Sequence, residues 1–186
     1  MQIEPTRLSD VVILTPSRFG DARGWFTETW NASRMAAVGL DLAFVQDNHS
    51  FSATAGTLRG LHYQSPPRAQ DKLVRCTRGA IRDVAVDGRR GSPTYGHWVA
   101  VDLTAENGRQ LLVPKGFLHG FVTLTPDTEV QYKCTDLYAP DCDGSVRWDS
   151  VGIDWGLDGD PVLSGKDQAA IAFADWQSPF VWNGAV

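Results

Sequence analysis

Between Val11 and Cys134 the chain keeps repeating one device: a short run rich in β-branched and aromatic residues, then a break at Gly, Pro or Asp. The runs are Val11–Leu14, Trp25–Trp30, Phe44–Ser50, Leu58–Gln64, Lys72–Thr77, Ala80–Asp87, His97–Leu103, Gln110–Pro114, Gly120–Leu124 and Thr128–Cys134. Such spacing predicts an all-β sandwich or barrel and leaves no place for βαβ units. Phe19–Gly24 reads as a turn-rich loop. The best helix is Asn31–Val38, with Asn31 as its cap and Gly39 as its stop. From about Tyr138 the chain is rich in Asp, Gly and Pro, which predicts loops and short helical pieces wrapped on the barrel. No repeat or linker divides it, so residues 1–186 are expected to form one domain.

Composition narrows the partners. A chain of 186 residues with 42% hydrophobic and 21% charged residues has enough apolar material for a sizeable core. Its net charge of -5 does not favour nucleic acid or an anionic membrane, so clustered cations such as Arg59, Lys72, Arg75 and Arg78 need a local reason. Cys76, Cys134 and Cys142 are odd in number and lack C-x-x-C spacing, which suits a reducing cytoplasm. Glu4, Arg7 and Asp10 interrupt the first ten positions, and no run approaches the length of a membrane span. A cytoplasmic protein is expected.

Gly56-Thr57-Leu58-Arg59-Gly60-Leu61-His62-Tyr63-Gln64 sets a guanidinium and an imidazole three residues apart among apolar neighbours. Regular strand alternation puts Leu58, Gly60 and His62 on one face and Arg59, Leu61 and Tyr63 on the other. If Leu58 faces the interior, so does His62. Gly60 would leave room beside it for a ligand, and Arg59 would need a twist or bulge to join it. A core histidine beside a solvated arginine is the plainer alternative.

A second stretch, Gly108–His119, runs a strand into P-x-G-x-x-H, where Pro114 and Gly116 turn the chain and His119 starts the next strand. This resembles the second signature of the cupin superfamily, whose members are double-sheet jelly rolls with a site inside the barrel. The first cupin signature is degenerate here, with one histidine, His62, and Gln at position 64. Two histidines fall short of the three or four ligands of a stable transition-metal site, so no metal is expected.

Taken together, the motifs resemble a narrower family, the dTDP-4-dehydrorhamnose 3,5-epimerases. The matching segments are Phe19–Gly24, Phe44–Ser50, Leu58–Gln64, Asp71–Cys76, Pro114–Phe121, Tyr132–Asp136, Arg147–Asp149, Gly152–Trp155 and Leu163–Asp167. They come in the expected order along nearly the whole chain. The resemblance implies a cupin-like jelly roll with a few short peripheral helices, acting on a dTDP-4-keto-6-deoxyhexose without a cofactor. It also implies a homodimer.

Epimerisation beside a ketone requires a base, an electrophile for the enolate oxygen and an acid across the substrate. His62, with an unperturbed pKa of about 6.5, suits the base. By resemblance Asp167 pairs with it, Lys72 meets the enolate oxygen, Tyr132 donates the proton, and His119 lies near the substrate. Arg23 and Arg59 suit the diphosphate, because a guanidinium binds oxygens bidentately. By the same resemblance Gln46 and Asn48 meet the thymidine portion, Asp47 between them is a substrate-binding residue, and Glu28 meets a polar group of the nucleotide. Tyr138 or Phe26 would stack near the base, Lys166 would add a phosphate or sugar contact, and Phe19 or Phe26 would come from a partner subunit.

Two positions depart from the pattern. Asp143 stands where the family usually has Glu, and Ser164-Gly165-Lys166-Asp167 lacks the usual Glu of its run. Each residue also has a plainer role: Lys72 on the rim, Tyr132 with a wet hydroxyl, His119 packed at its turn, and Asp167 capping a helix over Gln168–Ala172. The expected activity is inversion of both carbons flanking the ketone, giving dTDP-4-dehydro-L-rhamnose. The alternatives are a single-carbon epimerase, a sugar-binding cupin without activity, and a metal-dependent cupin.

Overall fold

In the computed structural model, which describes residues 1–184, the apolar runs become strands that pair antiparallel. In chain order the elements are β1 (Gln2–Pro5), β2 (Val12–Thr15), β3 (Arg18–Asp21), β4 (Gly24–Thr27), α1 (Ala32–Ala36), β5 (Gln46–Ser52), β6 (Leu58–Gln64) and β7 (Lys72–Arg78). They continue with β8 (Ala80–Asp87), β9 (Trp98–Thr104), β10 (Gln110–Val113), β11 (Phe117–Thr123), β12 (Thr128–Cys134), β13 (Asp143–Ser145) and α2 (Gly165–Gln168). One sheet has the order β1-β2-β10-β7-β12-β5 and the other β13-β6-β11-β8-β9. β3 and β4 form a separate two-stranded ribbon. The fold is the all-β, double-sheet jelly roll of the cupin type, with few and short helices.

Strand alternation sorts the core into layers. Val74, Cys76, Ile81, Ala85, Leu111, Val113, Phe117, Phe121 and Val130 meet between the sheets. Full burial of such a side chain contributes about 1.5–3 kcal/mol, so this layer dominates the stability of the barrel. On the outer face of the five-stranded sheet, Leu58, Leu61, Val84, Val86, Leu118 and Val122 pack under Trp155, Trp176 and Phe180 of the C-terminal segment. That segment is tied on by single parallel bridges, Thr57 to Val162, Val146 to Ile171 and Arg90 to Val181. On the outside of the six-stranded sheet, Leu14, Leu73 and Leu112 lie under Met35 of α1.

Several expectations shift. Phe19–Gly24 is no loop: β3 and β4 pair Phe19 with Phe26 and Gly20 with Trp25, and the strand expected to reach Trp30 stops at Thr27. β11 begins at Phe117 and so contains His119 within it. β1 and β13 escaped the pattern because one carries an edge proline and the other is three residues long, built around Gly144. α1 keeps its expected cap, with Asn31 Oδ1 accepting from the Arg34 amide at 3.1 Å, but it ends at Ala36, short of the expected Val38, and Gly39 with a φ of 86° lies in the turn beyond it. α2 starts at Gly165, ahead of the expected Gln168–Ala172, because Ser164 rather than Asp167 is its cap.

Candidate active site

The site begins with a break in strand alternation. Across the β6–β11 pair His62 faces His119, and Arg59 faces Phe121. Gly60 and Leu61 therefore stand opposite the single residue Gly120, which is a β-bulge. The bulge restores Arg59 to the phase of His62, and both side chains line the cavity. Leu58 and Leu61 go to the outer layer instead. The expected sharing of a face by Leu58 and His62 is thus overturned. Gly60 opens room for protein, not for ligand: a Cβ on it would lie 2.5 Å from Gly120 Cα and 3.0 Å from His119 O. Its φ of 138° adds a second reason for glycine.

His62 meets Asp167 through Nε2 to Oδ1 at 2.6 Å. The carboxylate is 3% exposed at its side chain and the imidazole 30%, so the pair is buried at its back and open at its front. Asp167 is anchored by its own helix start. Ser164 Oγ accepts from the Asp167 amide at 3.2 Å and donates to Oδ2 at 2.8 Å. Burial pushes the Asp167 carboxyl up, but the bond and charge of His62, the Ser164 hydroxyl and nearby Lys166 outweigh it and hold it below the usual carboxylate range. An ionised Asp167 fixes which ring nitrogen of His62 carries the proton and leaves the other nitrogen for chemistry.

Lys72 and Tyr132 reach the same cavity from the facing sheet, on β7 and β12. The Lys72 Nζ lies 6.0 Å from the Tyr132 ring centroid and makes no hydrogen bond or ion pair among the described residues. Loss of hydration lowers the Lys72 pKa, and the fields of Cys134, Asp143 and Asp83 pull it partly back. Burial raises the pKa of the Tyr132 phenol, which keeps it a proton donor. His119 is buried on β11 with Nε2 2.7 Å from Asp83 Oδ1.

The cavity has two adjoining chambers. One of about 390 Å³ is lined by Arg59, His62, Lys72, His119, Tyr132 and Asp167, with Phe121 and Leu163 as apolar wall. The other, about 370 Å³, is lined by Gln46, Asn48, Gln64, Gln70, Tyr138, Asp143 and Lys166. His62, Lys72 and Tyr132 border both. Arg59 is steadied by Ser52 Oγ and by Phe51 O, the latter at 3.1 Å. Asp143 accepts from Lys166 and, at 3.4 Å, from the Tyr138 hydroxyl, so the shorter acid still closes a three-membered polar group.

Four expected residues are not brought to this cavity within one chain. Arg23, with its side chain 90% exposed, pairs with Asp21 on the projecting ribbon, and Phe26 beside it is bare. Glu28 binds Asn31 and Arg34 at the start of α1. Asp47 lies in the outward phase of β5 and pairs with Lys133 at 2.8 Å on the opposite face of its sheet. Two neighbours of the site went unread in the sequence. Ser164 was findable, since Ser-x-x-Asp is a capping spacing. Asp83 had a fainter signal: an acid in the inward phase of an apolar strand.

Comparison with known proteins agrees with this geometry. The family model for dTDP-4-dehydrorhamnose 3,5-epimerase matches residues 5–175. A protein of that name from Pseudomonas aeruginosa is 51% identical over 178 residues, covering 93% of this chain and 97% of the relative. The crystal structure of a dTDP-6-deoxy-D-glucose-3,5-epimerase from Legionella pneumophila Philadelphia 1, in complex with dTDP-4-keto-L-rhamnose, superposes with a TM-score of 0.94. It is 42% identical and the match covers 99% of both chains. That of a dTDP-4-dehydrorhamnose 3,5-epimerase from Bacillus anthracis, with TDP and PPi bound, gives 0.89 at 47% identity, covering 92% of this chain and 98% of that one. Fold, cavity and sequence converge, and the chain belongs to the dTDP-4-dehydrorhamnose 3,5-epimerase family.

Proposed function

We propose that this chain is an isomerase that inverts both carbons flanking the ketone of dTDP-4-keto-6-deoxyglucose, giving dTDP-4-dehydro-L-rhamnose for rhamnose and cell-surface polysaccharide synthesis. One observation carries the reading: a carboxylate-backed imidazole and a half-buried phenol approach a single cavity from opposite sheets, with an unpaired lysine amine at the same junction. His62 removes the proton from a carbon next to the ketone, and Asp167 stabilises the imidazolium that results. Lys72 holds the enolate oxygen in a region of reduced hydration, where its charge acts strongly. Tyr132 returns a proton from the other face and is reprotonated by solvent. Both carbons are adjacent to the same carbonyl, so one oxyanion donor serves both inversions. His119 and Arg59 hold the sugar and diphosphate, while the chamber around Asn48, Tyr138 and Lys166 takes the nucleoside.

The reading extends to a cytoplasmic homodimer. No helix among the described residues is long and apolar enough to cross a membrane. Phe19, Trp25 and Phe26 on the ribbon are 66%, 60% and 69% exposed, a cluster that suits burial against a second copy. In that arrangement Arg23 and Phe26 serve the partner's cavity, which accounts for their absence from their own.

The test is turnover of dTDP-4-keto-6-deoxyglucose in heavy water, read by NMR and mass spectrometry. Deuterium at both flanking carbons is expected. Label at one carbon only makes this a single-carbon epimerase, and an unlabelled, unchanged sugar overturns the assignment. His62→Ala and Tyr132→Phe are expected to slow incorporation about 10²–10⁴-fold.

A further inference from the structure

The interior phase of β8 runs Ile81, Asp83, Ala85, so a carboxylate occupies a place the strand pattern reserves for an apolar side chain. Its neighbours in register are Phe121 on one side and Val101 on the other, both part of the apolar core. Asp83 is 0% exposed. One oxygen accepts from His119 Nε2 at 2.7 Å, while the other is buried with no partner at all. A carboxylate left half-satisfied in such a layer destabilises the folded state, and an apolar residue of similar volume is often better tolerated. Residues kept at the expense of stability point to function rather than to architecture.

What Asp83 touches supplies that function. His119 stands directly across from His62 in the β6–β11 pairing and lines the same cavity. With Nε2 committed to Asp83, only Nδ1 is left for a ligand, and no protein group bonds it among the described residues. The site therefore holds two imidazoles side by side, each backed by a buried carboxylate, Asp167 for one and Asp83 for the other.

We propose that Asp83 is a positioning residue for the reaction: it fixes the ring orientation and tautomer of His119 so that Nδ1 is presented to an oxygen of the bound keto sugar. The inference rests on the epimerase reading above. Asparagine at this position reverses the arrangement. Its amide nitrogen finds no acceptor in the apolar layer except the ring, so it donates to Nε2 and switches the tautomer, as asparagine does behind other catalytic imidazoles.

The experiment compares Asp83→Asn and Asp83→Leu with the wild type on dTDP-4-keto-6-deoxyglucose, alone and combined with His119→Asn. Measured are kcat, KM, deuterium wash-in and the thermal midpoint. Asp83→Asn is expected to lower kcat about 10- to 100-fold, on the scale of lost carboxylate partners of active-site histidines, with KM changed by less than about threefold. The midpoint should hold or rise in both variants, which a structural role does not produce. In the His119→Asn background Asp83→Asn should add less than about twofold, because the two residues act as one unit. Unchanged kcat, a midpoint that falls in both variants, or full multiplication of the two effects each overturns the proposal. A wild type that exchanges no deuterium overturns the functional reading instead, so the two failures are told apart.

Discussion

Lys72 sits where much of its hydration is lost, and that sets a pH signature. Burial lowers its folded pKa, whereas in the unfolded chain it returns to about 10.4. Below both values each state is protonated, and the folded state bears the full desolvation penalty. As pH rises through the folded value the proton leaves and the penalty lifts. Lys72→Met should therefore raise the thermal midpoint at neutral pH, with a gain that shrinks as pH approaches about 10, while kcat falls about 10²–10³-fold through loss of the proposed oxyanion donor. Lys72→Arg should shift the alkaline limb of the kcat profile upward. Tyr132 does not set that limb, because burial moves its pKa the other way. Thermal melts and pH–rate profiles of the three proteins check these signs. At this scale His62 was readable from its own run, whereas Lys72 and Tyr132 took their roles only from the family resemblance, since a lysine or a tyrosine in a strand reads equally well as a rim residue. The partner of His62 was less legible, because Asp167 lies 105 positions from it.

Elements carry what single residues cannot. Regular alternation predicted the wrong partner for His62, since a bulge is a property of two strands and only one of them is visible in the Leu58–Gln64 run. The counterpart is Gly120, and the two glycines bring β6 and β11 close enough for both histidines and Arg59 to share a wall. Gly60→Ala sets a methyl against backbone that cannot yield. A loss of at least about 2 kcal/mol of stability is expected, with kcat falling as Arg59 and His62 lose their common phase. Urea melts and kinetics of this variant test it. Gly152→Ala is a control for a positive-φ glycine in open space, where backbone strain alone acts. The strands from β5 to β12 were legible because their β-branched and aromatic runs are set off by Gly, Pro and Asp, even where the inward phase is polar, as in β5. Of the β3–β4 ribbon only the aromatic strand from Trp25 was legible, since Phe19 between polar residues and beside Gly20 reads equally well as a loop.

For the whole molecule, the question is which surface completes which cavity. Arg23 extends away from its own cavity on a ribbon anchored by Arg18 to the carbonyls of Ala105 and Glu106 and stacked on Trp25. In the proposed homodimer, mixing Arg23→Ala with His62→Ala after subunit exchange should restore about one quarter of wild-type activity, because half the dimers are mixed and each holds one intact site. Recovery that stays at the level of the separate variants would show that each chain uses its own arginine.

The C-terminal segment covers the five-stranded sheet and delivers Asp167 to His62, held by isolated bridges rather than a continuous ladder. Secondary structure and turnover should therefore part company under mild stress. A barrel that has shed this strap would keep its far-ultraviolet signature while His62 stands without its counter-ion, so loss of catalysis serves as an early warning of unfolding.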